Sequence, residues 1–142
     1  MTPPPSTATI HIRAWPGGGA HAPEDPYTDA VWLPILGPTR YVVWRYLVAH
    51  TDTRTTLHDL AAAAGIGNHQ STLVRALRRL ERLDVIDLGH VAVPTRLDVV
   101  DSCYDCIAVR TRLPYPTPSQ IARLDPAIQA IHHQHTARLA AS

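Results

Sequence analysis

Residues 55–93, TTLHDLAAAAGIGNHQSTLVRALRRLERLDVIDLGHVAV, decide the fold. Thr56 followed by Asp59 is a helix start: the hydroxyl accepts from a free backbone N–H, and the acid suits the positive end of the helix. The helix predicted over 57–64 stops at Gly65, which adopts the left-handed cap without steric cost. Ala61 to Ala64 let another helix approach closely, and 65–67 form the turn. A second helix is predicted over about 69–83. Leu73, Leu77 and Leu80, with Val74 and Leu83, recur at the spacing of a buried stripe. Asn68, Thr72, Arg75, Arg79 and Arg82 fall opposite. Residues 85–87 then read as a strand, Leu88-Gly89-His90 as a turn, and 91–93 as the returning strand.

Working outward, Gly37-Pro38-Thr39 announces a helix over about 39–50, because proline suits the first helical position. Its predicted apolar stripe is Tyr41, Val42, Trp44, Leu47 and Val48. Upstream, residues 1–26 hold six prolines and three consecutive glycines, which disfavour a packed structure. They are expected to form a flexible arm, although residues 9–15 alternate well enough to dock as a strand. Downstream, residues 107–112 alternate as a strand and imply an enlarged hairpin. Thr117-Pro118-Ser119-Gln120 and Asp125-Pro126 each start a helix, the second running to about residue 139. The predicted organisation is an arm over 1–26, an α+β domain over 27–113 and a helical extension over 114–142.

The net charge of +1 excludes a general polyanion binder. The charge is uneven, however. Residues 68–83 carry Arg75, Arg78, Arg79 and Arg82 against a single acid, Glu81. All 13 basic residues are arginine, a planar donor fork matched to phosphate and guanine. No export signal and no run of membrane-spanning length is read, so a cytoplasmic protein without a membrane partner is expected. The 2 cysteines, Cys103 and Cys106, make no disulfide framework. Their CxxC spacing is half of a zinc site, which His90, His132, His133 or His135 would have to complete. Incidental thiols and a redox pair stand beside that reading, and no cofactor is expected. No phosphate loop, nucleophile elbow or HExxH is present, so no enzymatic activity is expected.

Leu60-Ala-Ala-Ala-Ala-Gly65-Ile66 and Ser71-Thr-Leu-Val-Arg-Ala-Leu-Arg-Arg-Leu-Glu81 resemble the winged helix-turn-helix superfamily of bacterial regulators, in an arginine-rich, actinophage-like form. One departure is the longer turn, Gly67-Asn-His-Gln70. The resemblance implies transcriptional control through sequence-specific binding of double-stranded DNA, with residues 68–83 as the recognition helix. It places Asn68, His69, Gln70, Thr72 and Arg75 at base edges and Arg79 and Arg82 at phosphates, with Ser71 and Arg78 also in the DNA-binding set. His90 and Arg96 would reach the backbone or minor groove from the wing. A homodimer through the C-terminal helix would match paired half-sites. Three other readings stay open: a solvated arginine face, a winged helix that binds protein in a replication or host-takeover assembly, and a metal- or redox-responsive regulator using Cys103 and Cys106.

Overall fold

The computed structural model describes residues 9–15, 19–67, 70–94 and 100–141, with backbone alone at Gln70, 90–94, 100–105 and Ala141. In chain order the elements are β1 (Ile10–Ala14), a π-helical turn (Thr28–Trp32) running directly into α1 (Leu33–Leu36), α2 (Pro38–Ala49), β2 (Arg54–Thr55), α3 (Leu57–Ala63), α4 (Gln70–Arg82), β3 (Ile86–Pro94), β4 (Val100–Val109), α5 (Pro118–Ala122) and α6 (Pro126–Ala141). The class is α+β. The sheet has four strands in the order β2-β1-β4-β3.

Local signals act as their chemistry dictates. The Thr56 hydroxyl accepts from Asp59 N at 3.1 Å and starts α3. Gly65, at φ +76°, ends it. Ile66 N donates to Ala61 O at 2.8 Å and Gly65 N to Ala62 O at 3.1 Å, which satisfies the last carbonyls. The end of α4 repeats this geometry with Asp84, at φ +59°, in the glycine's place. There Val85 N donates to Leu80 O and Asp84 N to Glu81 O, both at 3.0 Å. Thr117 and Gln120 form a reciprocal capping box on α5. Asp125 Oδ1 accepts from Ala127 N at 2.9 Å in the first turn of α6.

The core lies between the helices and the sheet. Trp32, Trp44, Leu36, Leu47, Leu57, Leu60, Leu73, Leu77 and Leu80 are buried there with Ile10, Ile12, Ile107 and Val109. Trp44 Nε1 donates to Arg110 O at 2.8 Å, and Trp32 Nε1 to Pro114 O at 3.0 Å, so both indoles keep their polar edge satisfied. On α2 one expectation shifts by a residue. Val42 is 45% exposed, and Val43 enters the core in its place.

Within the arm expected over 1–26, the alternating stretch 9–15 docks as β1 and is not a flexible segment. This strand lies inside the sheet, antiparallel to β2 and parallel to β4 in the register His11↔Cys106 to Ala14↔Val109. Its alternation sends Ile10 and Ile12 into the core, both fully buried. The chain stays attached beyond it. His21 and Leu113 exchange backbone hydrogen bonds at 3.0 and 2.7 Å. Gly19 allows this approach, since a Cβ there would sit 2.4 Å from Arg112 O. Gly19 therefore marks a close contact rather than a flexible tether.

The turn expected at Leu88-Gly89-His90 is also corrected. β3 runs through these residues for 9 residues and pairs with the 10 of β4. Gly89 marks a register shift between Gly89 and His90, a bulge and not a reversal. Cross-strand pairing on both sides of the glycine outweighs its local turn preference. The returning strand accordingly lies at residues 100–109 and ends before the 112 expected for it.

Two substitutions check this architecture by chemical denaturation. Ile12→Ala is expected to cost about 2–5 kcal/mol, as for a buried core residue, where a flexible arm would lose nothing. Asp84→Gly is expected to raise stability by about 0.5–1 kcal/mol by relieving the left-handed conformation.

Candidate nucleic-acid interface

The rotation of α4 is set by what it buries. Leu73, Leu77 and Leu80 are fully buried, and Val74 and Ala76 nearly so. At about 100° per residue, Ser71, Arg75, Arg78, Arg79 and Arg82 must share the opposite face. Ser71, Thr72, Arg75, Arg79 and Arg82 are exposed, and Arg78 is half-buried at the margin. Among the described residues no carboxylate pairs with Arg75, Arg79 or Arg82. The acid of this helix, Glu81, turns the other way, and its Oε2 accepts from Leu88 N at 2.9 Å. Among the described residues Arg75, Arg79 and Arg82 are thus unpaired with the acid beside them in sequence. Arg79 and Arg82 also occupy the last turn, where cations suit the negative end of the helix.

A cleft of about 330 Å³ lies between the start of α2 and the first half of α4. Gly37, Thr39 and Arg40 line it on one side, Thr72 and Arg75 on the other. Arg40 Nη1 donates to Leu36 O at 3.1 Å, which holds the guanidinium at the rim. Among the described residues the lining combines two guanidinium groups and two hydroxyls with no carboxylate. This donor set suits a phosphate oxygen. Sequence reasoning placed Thr72 and Arg75 in the interface but missed Thr39 and Arg40. The signal was the Gly37-Pro38 start, which leaves the first turn of α2 open to solvent.

The structure joins the other candidates only in part. Asn68, His69 and Arg96 lie outside the described residues, as do the side chains of Gln70, His90 and Cys103. The backbone of Gln70 opens α4, and that of His90 lies in β3 opposite Tyr104. Cys103 lies opposite Val91 and Cys106 opposite Gly89 across the register shift. Cys106 is half-buried. Among the described residues no group of three or more His, Cys, Asp or Glu side chains is placed to hold a metal ion. His132 and His135 meet an aromatic cluster instead. Among the described residues no helix is long and apolar enough to cross a membrane.

Comparison with protein-family models, with curated proteins and with solved structures finds no match.

Glu81→Ala leaves the Leu88 N–H without its charged acceptor at the root of the hairpin. The expected cost is about 1–3 kcal/mol in chemical denaturation, with Glu81→Gln recovering part of it.

Proposed function

We propose that the protein is a winged helix-turn-helix regulator that binds double-stranded DNA through α4. The observation that carries this reading is the exposed set Arg75, Arg79 and Arg82 on α4, without a carboxylate partner among the described residues and continuous at Arg75 with the cleft toward Arg40. The order α2, β2, α3, α4 and a long β3–β4 hairpin also fits the module, with α3 and α4 as the helix pair and the hairpin as the wing.

In this reading the first half of α4 enters the major groove. Thr72 and Arg75 approach base edges, Arg75 offering the bidentate fork that grips guanine O6 and N7. Arg78, Arg79 and Arg82 follow the phosphate backbone and release counterions from it. A neighbouring phosphate seats in the cleft between Arg40 and Arg75. The hairpin, as the wing, lies against the flanking backbone or minor groove. A homodimer through α6 would set two copies on paired half-sites. Ile131 and Leu139, 42% and 52% exposed, supply apolar surface for that contact.

The test is fluorescence anisotropy on a randomised duplex across a salt series. Affinity is expected to fall steeply with salt. Arg75→Ala should weaken binding by about 5–100-fold, and Arg79→Ala should lower the salt slope by about one. Absence of binding at low salt by a folded protein overturns the reading in favour of a protein-binding module.

A further inference from the structure

α6 is docked by a ring cluster that plays no part in reading DNA. His21 and Tyr27 come from the segment leading into the π-helical turn, Tyr115 from the chain after β4, and His132 and His135 from α6. His21 is 1% exposed and stacks on Tyr27 at 4.1 Å. It meets Tyr115 edge-on at 4.4 Å and His135 at 5.5 Å. Tyr27 lies 4.5 Å from His135, and its hydroxyl is 2.6 Å from His132 Nδ1.

The polar atoms of this cluster are arranged for neutral imidazoles. His21 Nδ1 lies 3.1 Å from Asp25 Oδ2, and Asp25 Oδ1 also accepts from Tyr27 N at 3.0 Å. With Nδ1–H given to the carboxylate, Nε2 presents a lone pair. That atom is buried and has no hydrogen-bond partner among the described residues. A proton placed there becomes a buried N–H without an acceptor. It also creates a cation facing His135 of α6 and Arg112 of the chain after β4. At the second site the Tyr27 hydroxyl, pushed up to about 12 mainly by burial, stays protonated and donates to His132 Nδ1. Protonating His132 Nδ1 turns that bond round, with Nδ1–H donating to the Tyr27 hydroxyl oxygen, and places a positive charge against the cluster. His132 is faced by His133 and His135 on its own helix and by His21 across the contact.

We propose that this cluster is a proton-operated latch: neutral imidazoles hold α6 against the domain, and their protonation releases the helix. Burial pushes His21 down, the charges of His135 and Arg112 add to it, and the Asp25 hydrogen bond and charge oppose it. Burial likewise lowers His132, reinforced by His133, His135 and His21. For Asp25 burial opposes ionisation, but the hydrogen bonds from His21 and Tyr27 hold its carboxyl below the ordinary value. Asp25 therefore stays charged while the imidazoles titrate. Both histidines take up protons more readily when undocked, at their ordinary value of 6.5. The contact is thus at full strength above that value and weakens as pH falls through it toward the lower docked values.

Amide hydrogen exchange on the full chain, corrected for intrinsic rates, tests this at about pH 7.5 and about pH 5. The expected result is on the order of tenfold faster exchange in α6 at the lower pH, with α2 and α4 unchanged. His132→Phe/His135→Phe keeps rings at both positions and is expected to reduce this pH effect several-fold. Equal protection of α6 at both pH values overturns the latch. So does parallel loss of protection in α2 and α4, or an undiminished pH effect in the folded double variant. The wild-type comparison decides by itself if that variant does not fold.

Discussion

Burial of the Leu73, Leu77 and Leu80 stripe leaves the arginines of α4 no direction but outward. A helix has one rotation about its axis, and three fully buried leucines fix it. From that one choice Glu81 is turned toward β3, where it accepts the Leu88 N–H. The same choice brings Arg75 beside Arg40 of α2, on the wall of a shared cleft. The interface proposed for DNA is therefore a consequence of core packing. It inherits its rigidity from the core rather than from a loop.

The core in turn depends on contacts between distant parts of the chain. β1 fills the gap between β2 and β4, so backbone pairs form along both of its edges. Trp15 N continues this pairing with a bond to Val109 O at 2.8 Å, and the Arg110 guanidinium lies 4.4 Å over the Trp15 ring. The same Arg110 offers its carbonyl to Trp44 of α2. One short stretch after β4 thus ties the first strand, the central helix and the sheet together. Removing β1 would expose Ile107 and Val109 of β4 as well as its own isoleucines.

What was legible in sequence was local, because the forces involved act within a few residues. The Thr56 cap, the Gly65 stop, the Thr117 capping box and the leucine stripe of α4 all stood where their chemistry put them. The α+β class followed from them. The parallel pairing of β1 with β4 was not legible, since nothing near Ile12 specifies Ile107 as its partner. Proline and glycine misled for the same reason. Gly19 and Gly89 are locally indistinguishable from flexible or turning glycines, yet one serves a close approach and the other a bulge. At the candidate site the α4 arginines were visible from spacing alone. Arg40 was not, because the cleft exists only once α2 and α4 pack. The imidazole–tyrosine cluster is assembled from three separate segments, and in sequence His132 and His135 stood only as candidates to complete the Cys103 and Cys106 half-site.

The net charge of +1 understates how basic this surface is, and the reason lies in what the acids do. Asp25 holds His21 and the Tyr27 N–H, Asp125 accepts in the first turn of α6, and Glu81 accepts from β3. Asp29 accepts from the Tyr41 hydroxyl and lies 3.7 Å from Arg45, on a different helix from the arginine face. Asp52 and Asp84 occupy left-handed positions that a short polar side chain tolerates. Each of these carboxylates answers a local structural demand, and none of them neutralises Arg75, Arg79 or Arg82. Positive potential at a surface depends on where the compensating acids sit within about a Debye length, roughly 8–10 Å at ordinary salt. Glu81 on α4 and Asp84 just beyond it are close in sequence to Arg82, yet among the described residues neither is paired with Arg75, Arg79 or Arg82, so these three guanidinium groups stay open on a nearly neutral chain.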